Sequence, residues 1–352
     1  MKIFIISSAE KAIDFRKYGG TELVVGGLAT ALCEFDEVEE VAVACCKGSI
    51  FPENLPKLRV IETVEESTEV YHDWFAKEAR AYRIYEKYLK DYDIILDNIG
   101  SDLVYDHKIA HPDANICHVF HGACGWERAP RIRGDPCFIA ASRAQAMNVS
   151  NRLDVRCGCI SHGIDTSLYP FKAEKGERYL SANRICKEKG ILEFIQLMKD
   201  SSACGDIYGE DRFVSSQEYV EEVKSRCDGY QVRYYGTVTY EEKIKFLQNA
   251  KAVISLPMYP FMEIFGLHVT EAMCCGTPVI ALRSGGVTDQ IKDGVTGFLC
   301  DALDEIREII VSDKVSEIDP YECRRHVEEN FSKEIMAKNY LEYFKKILER
   351  KN

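Results

Sequence analysis

The stretch Glu263-Ile-Phe-Gly-Leu-His-Val-Thr-Glu271-Ala-Met-Cys-Cys-Gly-Thr-Pro-Val279-Ile-Ala281 contains two features that decide the fold: a short helix and a buried strand that follows it. The apolar run Ala252–Ser255 precedes this stretch and predicts another buried strand. Two buried strands joined by a helix are typical of a parallel sheet that helices cover on both faces.

Glu263 and Glu271 flank the predicted helix. Acids eight positions apart lie within about 80° of each other on a helix face. If the helix begins near Phe265, Glu263 precedes it, and Gly266 lets a ligand approach the free N–H groups of the first turn. Because carboxylates accept hydrogen bonds from sugar hydroxyls and a helix N-terminus attracts anions, the pattern indicates a hydroxyl-rich ligand that carries a phosphate. Spacing alone also fits an amphipathic helix with two solvated acids.

Size and charge narrow the class of protein. With 352 residues, the chain exceeds the length at which one core usually keeps growing, so we expect two domains. A net charge of −12 argues against nonspecific nucleic-acid binding, and we expect no nucleic-acid partner. No apolar run approaches the about 20 residues that span a bilayer, and the apolar N-terminal stretch is too short for a signal peptide. We therefore expect a cytoplasmic protein and leave open a peripheral contact with the inner membrane face.

The 15 cysteines include no Cys-x-x-Cys spacing, and most lie in apolar runs, where cysteine acts as a small hydrophobic residue. The set Cys117, His118, His121 and Cys124 comes nearest to a metal-binding pattern. Strand alternation would send Cys117 and His118 to opposite faces, so we expect no metal site there. We also expect no cofactor. Whether any cysteines form disulfides stays open.

Strands alternate with helices along the whole chain. The strands predicted before the polar linker 169–177 are Lys2–Ser7, Val41–Cys45, Leu58–Ile61, Ile94–Asp97, Ala114–Phe120, Cys137–Ala141 and Val155–Ile160. Those predicted after it are Tyr179–Ala182, Cys204–Ile207, Val232–Tyr235, Ala252–Ser255, Val279–Ala281 and Gly297–Leu299. The pattern predicts an α/β protein with two doubly wound Rossmann-like domains, 1–168 and 169–332, facing each other across a cleft. Ligands of such sheets bind at the carboxyl ends of the strands.

Three further motifs follow predicted strands. Tyr18-Gly19-Gly20-Thr21 opens a predicted helix, Thr21–Glu34, and its glycines allow either close ligand approach or a plain turn. Arg184 and Lys189 flank a loop where two cations suit a diphosphate, with Lys187 as a competing cation and solvated charges as the alternative. His121 ends an apolar strand and is a candidate for contact near a reacting centre. The glycine pattern and the lack of an acid after the second strand disfavour a nicotinamide dehydrogenase.

Together these residues resemble the retaining glycosyltransferases of family 4, the glycosyl transferases group 1, which have the GT-B architecture. The resemblance is strongest over Arg178–Leu299. Its most specific part runs from Glu263 to Val279 and continues to Gly285-Gly286 and to Asp293-Gly-Val-Thr-Gly297. Weaker support comes from Gly19-Gly20, His121, Gly163-Ile-Asp165 and Gly236-Thr-Val238.

The resemblance implies a role for each matched residue. Glu263 would hold hydroxyls of the donor sugar, and Glu271 those of the ribose. The backbone amides of Phe265, Gly266 and Leu267 would face the sugar and the distal phosphate. Arg184 and Lys189 would neutralise the diphosphate, next to Gly19 and Gly20, while His121 would contact the sugar. The loop from Gly236 to Val238 would cover the base, and the terminal helix, 333–352, would cross back to the first domain.

The implied reaction moves a sugar from a nucleotide diphosphate-sugar to an acceptor, with retained configuration and without a metal. A UDP-sugar is the first expectation for the donor and GDP-mannose the second. The acceptor stays unknown: a glycan, a lipid-linked molecule or a small molecule. A sugar-nucleotide epimerase, a glycogen-type phosphorylase and a catalytically weak binding partner remain alternatives.

The chain departs from the family pattern at several positions. Asp289 stands where the family usually has Glu, and His162 replaces the common Asn before Gly163. The acceptor regions, 8–19 and 120–134, match no motif. The basic stretch Glu127–Arg133 fits either a phosphorylated acceptor or a solvated loop.

Overall fold

The computed structural model describes residues 1–17, 19–67, 73–122, 137–212 and 214–349. The chain divides into two compact units: the first contains 1–164 and 332–352, and the second contains 165–331. The predicted division at 168/169 therefore lies four residues after the boundary between the two units.

The first unit is built on a sheet of seven parallel strands in the order β3-β2-β1-β4-β5-β6-β7. These strands are β1 (Lys2–Ile6), β2 (Glu40–Cys45), β3 (Leu58–Glu62), β4 (Ile94–Asp97), β5 (Ile116–Phe120), β6 (Cys137–Ala140) and β7 (Cys157–Cys159). The helices between them are α1 (Gly20–Leu32), α2 (Trp74–Tyr85), α3 (Asp102–Ala110) and α4 (Arg143–Leu153). Serine side chains cap α3 and α4 by accepting from the backbone N–H groups of Leu103 and Gln145.

The second unit has six parallel strands in the order β10-β9-β8-β11-β12-β13. They are β8 (Tyr179–Ala182), β9 (Gly205–Tyr208), β10 (Val232–Gly236), β11 (Val253–Ser255), β12 (Val279–Leu282) and β13 (Gly297–Cys300). Its helices are α5 (Ile191–Asp200), α6 (Gln217–Arg226), α7 (Tyr240–Asn249), α8 (Leu267–Cys274), α9 (Val287–Gln290), α10 (Leu303–Val311) and α11 (Pro320–Asn330). A capping box between Thr239 and Glu242 fixes the start of α7.

The last helix, α12 (Lys333–Glu349), belongs to the first unit. Its first N–H group, that of Lys333, donates to the carbonyl of Ile164 at 2.8 Å. Further along, the ring of Tyr343 packs so closely on Gly158 that a Cβ there would lie 2.9 Å from it. An ion pair of 2.5 Å between Lys345 and Glu37 ties the end of α12 to the segment after α1.

The two predicted doubly wound domains are confirmed. Each predicted strand overlaps an observed strand, and the ends differ by at most two residues. The buried strands read as continuous apolar runs because helices cover both faces of a parallel sheet. The sequence also predicts a helix over Tyr71–Leu89. Its predicted start lies outside the described residues, which show α2 from Trp74 and a 3₁₀ helix at Glu86–Asp91.

Both sheets reverse their winding direction beside their first strand. In the first unit β1 lies between β2 and β4, and in the second unit β8 lies between β9 and β11. Loops on either side of such a point lead away from each other and leave a crevice at the carboxyl ends of the strands. The fold thus predicts one ligand crevice in each unit.

An acid of α2 lies near the crevice of the first unit. The carboxylate of Glu78, 3% exposed, accepts a hydrogen bond from the backbone N–H of Ala9 at 3.2 Å. Burial raises the pKa of Glu78 to about 8, from an ordinary value of 4.5. Between these two values the carboxyl group ionises in the unfolded chain but stays neutral in the folded protein, so it lowers stability as pH rises.

We expect Glu78→Gln to raise the melting temperature by several degrees at about pH 8.5 and to change it little at about pH 4.5. Glutamine keeps the acceptor for Ala9 but has no charge to bury. The exposed Glu53 supplies the control, since Glu53→Gln removes the same charge without burial. Melting curves across this pH range measure the difference, and a gain that does not grow with pH contradicts the buried carboxyl group.

Candidate functional site

Two loops meet at the crevice of the second unit. Residues 183–190 follow β8 and residues 256–266 follow β11, and the N–H of Met258 donates to the carbonyl of Glu188 at 3.0 Å. Gly190 has a φ of +62°, and a Cβ there would lie 2.7 Å from the carbonyl oxygen of Leu256. Only glycine allows this approach, which holds the two loops together.

The loop contact brings Lys189 and Glu263 together in a short ion pair. The side chains are only 12% and 8% exposed, respectively. Burial acts to raise the pKa of Glu263, but Lys189, with smaller contributions from His268 and Arg184, outweighs it, so the pKa is lowered and the carboxylate is ionised at neutral pH. Arg184 itself lies on the exposed surface of the first loop. Three of the predicted donor-site residues therefore lie at one crevice.

Gly285 and Gly286 fix the backbone of the loop that carries Glu263. The N–H of Gly286 donates to the carbonyl of Glu263 at 2.6 Å. A Cβ at Gly285 would lie 2.1 Å from that same oxygen, and a Cβ at Gly286 would lie 2.1 Å from the carbonyl oxygen of Ile264. The glycine pair after β12 is thus required for close packing against the neighbouring loop.

Helix α8 begins at Leu267, two residues later than the predicted start near Phe265. Gly266 is its N-cap, and a Cβ there would lie 2.9 Å from the ring of His268. The N–H of Gly266 donates to Oε1 of Gln290 at 3.1 Å, and Nε2 of Gln290 donates to the Gly266 carbonyl at 2.9 Å. Of the three backbone amides predicted to face a ligand, that of Gly266 already has an acceptor.

Glu271 lies on α8 and is 4% exposed. Its Oε1 atom accepts from Nζ of Lys243 at 2.6 Å and from the hydroxyl of Tyr169 at 2.8 Å. Burial, followed by the charge of Glu271, raises the pKa of Tyr169 well above its ordinary value, so the phenol keeps its proton. Because both donors in the described part of the chain bind Oε1, the Oε2 atom retains its capacity to accept from a ligand.

The imidazole of His268 lies beside this ion-pair network. Its Nε2 atom is 2.9 Å from the hydroxyl oxygen of Ser255, the last residue of β11. Burial lowers the pKa of His268 to about 4, so the ring is neutral near pH 7. The crevice thus holds charged groups and a neutral imidazole within a short stretch of chain.

The last residue of β10 and the loop that follows it contain the residues predicted to cover a base. Gly236 has a φ of +65°, and a Cβ there would lie 2.8 Å from Oδ2 of Asp211. The hydroxyl groups of Tyr234 and Thr237 donate to the two oxygens of Asp211 at 2.8 and 2.9 Å. Val238 follows and is half-buried. Since β8, β10 and β11 are parallel, this loop lies at the same edge of the sheet as Lys189.

The first unit contains the other predicted site residues, His121, Gly19 and Gly20. His121 follows β5 directly, with Nε2 2.8 Å from Oδ1 of Asn98, and its ring stacks on that of His162 at 4.7 Å. Burial lowers the pKa of His121 to about 4. Gly19 is the N-cap of α1, and a Cβ there would lie 2.7 Å from the carboxylate of Glu22, so an acid lies at this helix start.

Several residues that the sequence did not single out complete these arrangements: Asn98, Tyr169, Lys243, Ser255 and Gln290. Lys243 and Tyr169 are 28 and 102 positions from Glu271 in sequence, and no local spacing links them to it. One feature of the sequence could have indicated Gln290, namely its position in the predicted helix that follows Gly285-Gly286.

Some predicted features lie outside the described residues, namely Tyr18, Cys124 and the basic stretch 127–133. Within the described residues, no group of three or more His, Cys, Asp or Glu side chains could hold a metal ion. No helix among them is long and apolar enough to cross a bilayer. The cysteines that the structure describes form no disulfide bonds with one another.

The second unit is similar to proteins of known activity. A family model of the glycosyl transferases group 1 matches residues 170–312. The alpha-1,3/1,6-mannosyltransferase ALG2 of Dictyostelium discoideum is 28% identical over 151 residues, which cover 37% of this chain and 35% of that protein. The D-inositol 3-phosphate glycosyltransferase of Corynebacterium diphtheriae is 35% identical over 104 residues, which cover 30% of this chain and 24% of that protein. The matches thus span about a third or less of these relatives' own lengths.

The fold matches solved glycosyltransferase structures over nearly the whole chain. The crystal structure of Anabaena HepE with UDP-glucose superposes with a TM-score of 0.69 at 18% identity, covering 98% of this chain and 100% of that one. The chain therefore has the GT-B fold, and its residues 170–312 match the model of the glycosyl transferases group 1. These findings confirm the resemblance that the sequence motifs indicated.

The ion pair between Lys189 and Glu263 gives a stability prediction. Lys189→Met leaves an ionised, buried carboxylate without its partner, and we expect a loss of about 3 kcal/mol in the free energy of unfolding. Lys187→Met, in the exposed part of the same loop, is the control and should change it by less than about 0.5 kcal/mol. Urea unfolding measures both values.

The double variant Lys189→Met/Glu263→Gln should recover part of that loss, because the uncompensated charge is gone. Equal stability of the two lysine variants would contradict a buried pair.

Proposed function

We propose that this protein is a retaining glycosyltransferase that moves a sugar from a nucleotide diphosphate-sugar to an acceptor without a metal ion. The observation that carries the proposal is the buried pair of Lys189 and Glu263 at the crevice of the second unit, with Arg184 on the same loop. The group 1 match over this unit supports the same class of reaction.

The charges of the crevice fit the main barrier of such a transfer. Departure of a nucleoside diphosphate from a sugar creates negative charge on the phosphates, which preorganised cations stabilise. An ammonium group has three N–H donors, and Lys189 uses one of them for Oε2 of Glu263. Lys189 can therefore donate to a phosphate oxygen while it still neutralises the glutamate.

The carboxylates fit the hydroxyl groups of a nucleotide-sugar. Glu263 is ionised, and its second oxygen can accept from a sugar hydroxyl. In the same way, Oε2 of Glu271 can accept from a ribose hydroxyl while Lys243 and Tyr169 hold Oε1. The role predicted for His121, a contact with the sugar, stays a prediction.

We favour a UDP-sugar as donor and GDP-mannose as the second candidate. Anabaena HepE, which shares the fold, binds UDP-glucose, and the Dictyostelium relative is named a mannosyltransferase. The acceptor is a glycan, a lipid-linked molecule or a small molecule, and the name of the Corynebacterium relative includes a phosphorylated inositol. A catalytically weak sugar-nucleotide-binding partner and a GT-B epimerase are the alternatives that the experiments must separate.

Thermal shifts with UDP, GDP, ADP, their common sugars and NAD, measured with EDTA, test the donor. A ligand that binds only the folded protein raises the melting temperature. We expect one nucleoside diphosphate and its sugar conjugates to do so. A higher melting temperature with NAD alone, or an unchanged melting temperature with every nucleotide tested, would contradict the proposal. Release of free nucleotide separates an enzyme from a binding partner, and NMR of the product's anomeric configuration separates retention from inversion.

We expect Glu263→Gln to lower the rate of sugar transfer by about a hundredfold or more, because a neutral amide accepts sugar hydroxyls poorly and leaves Lys189 unpaired. Glu188→Gln, at an exposed position of the loop 183–190, removes the same charge; it is the control and should retain activity. The rate of nucleotide release measures the effect of each substitution, and melting curves show that both variants are folded. Equal rates for the two variants would remove Glu263 from the site.

A further inference from the structure

The carboxyl end of β4 carries two consecutive polar residues, and each pairs with a histidine at or just after β5. Oδ2 of Asp97 lies 2.7 Å from Nδ1 of His118, and both side chains are fully buried. Oδ1 of Asn98 lies 2.8 Å from Nε2 of His121, at the crevice of the first unit. The first pair is part of the core, whereas the second lies where the fold places ligands.

Other contacts fix the orientation of the Asn98 amide. Its Nδ2 donates to the carbonyl of Ile6, the last residue of β1, at 3.1 Å, and its backbone N–H donates to the same oxygen at 3.2 Å. The residue is only 6% exposed. A rotated amide would place Oδ1 against the Ile6 carbonyl oxygen, where two acceptors face each other without a proton. Oδ1 must therefore point to His121.

This orientation determines which nitrogen of His121 carries the proton. An amide oxygen only accepts, so Nε2 of His121 must donate. A neutral imidazole has one N–H group, and burial keeps His121 neutral near pH 7. Nδ1 is then the bare nitrogen. The ring of His162 lies almost parallel to that of His121, at an angle of 20°, and holds its plane.

We propose that Asn98 is a positioning residue that fixes His121 in the Nε2–H tautomer, so that Nδ1 accepts a hydrogen bond from a hydroxyl group of the sugar substrate. The tautomer follows from the contacts of Asn98 together with the burial of His121, and it needs no assumption about the reaction. The identity of the hydroxyl donor rests on the proposed function.

NMR of protein labelled with ¹⁵N-histidine tests the tautomer without any substrate. The signals of His121 are assigned by their loss in His121→Gln. At about pH 7.5 we expect a protonated Nε2 and an unprotonated Nδ1. A proton on Nδ1, or on both nitrogens, would overturn the assignment.

Asn98→Asp keeps the size of the side chain and its acceptor for Nε2, but it replaces the donor to the Ile6 carbonyl with a carboxylate oxygen. Melting curves must therefore first show that this variant is folded. The new carboxylate, next to Asp97, stabilises the protonated imidazole of His121 against burial and the stacked ring of His162. Nδ1 then becomes a donor. We expect both nitrogens to be protonated at about pH 7 and kcat to fall by about tenfold or more, as for the loss of a hydrogen bond.

Asn115→Asp is the matched control. Nδ2 of Asn115 donates to the carbonyl of Asp93 at 2.8 Å, the same kind of bond at the amino ends of β4 and β5. We expect the Asn115→Asp variant to leave the NMR signals of His121 and the rate of turnover unchanged. If Asn98→Asp does the same, the inference is wrong. If the tautomer is as expected but the wild-type protein transfers no sugar, the proposed function fails and the assignment of Asn98 stands.

Discussion

The parallel pairing of strands beside β1 and β8 is the constraint on which the rest of the structure depends. In both sheets the chain crosses from one side of this central strand to the other, so that β4 pairs with β1 and β11 pairs with β8. Parallel strands need long crossover connections, and these cover both faces with helices. What remains uncovered is the edge where the strands end, and the polar residues of both candidate crevices lie there.

Burial at this edge makes the placement of charge decisive. The carboxylate of Glu263 is ionised despite its burial because Lys189, with smaller contributions from His268 and Arg184, outweighs the penalty of burial. The opposite holds for Glu78: burial, together with the charges of Asp97 and Glu10, raises its pKa more than the hydrogen bond from Ala9 and the charge of Lys77 lower it. Burial has a third result at His121 and His268, where it lowers the pKa and keeps the imidazole rings neutral. One physical effect thus produces an anion, a neutral acid and neutral bases within a single chain.

The sequence could predict the sheets and the ends of the strands because continuous apolar runs such as Ile94–Asp97 and Tyr179–Ala182 have few alternatives in a chain of this pattern. It could also predict that Lys189 and Glu263 lie at one edge, since both follow strands of one sheet. It could not predict their direct ion pair, because that contact depends on the approach of Gly190 to Leu256.

Contacts between residues of distant helices and strands could not be predicted from the local spacing of residues in the sequence. Lys243 reaches Glu271 from α7, and Asn98 reaches His121 from a neighbouring strand end. The predicted start of α8, near Phe265, was two residues too early. The N–H of Gly266 donates to Gln290 and so keeps Gly266 outside the helix, and helix propensity does not account for a contact of this kind.

The segment where the chain enters the second unit has a practical consequence for dividing the protein. The polar composition after Leu168 suggests a cut there, but the carbonyl oxygens of Thr166 and Tyr169 accept from the guanidinium of Arg324 at 3.3 and 2.7 Å. The Tyr169 hydroxyl, in turn, binds Glu271. A fragment that begins at Tyr169 would lose the first of these anchors and place its new, charged terminus on the residue whose side chain contacts Glu271. An excised second unit that begins at Asp165 keeps both anchors, and its ligand affinity can be compared with that of the whole chain.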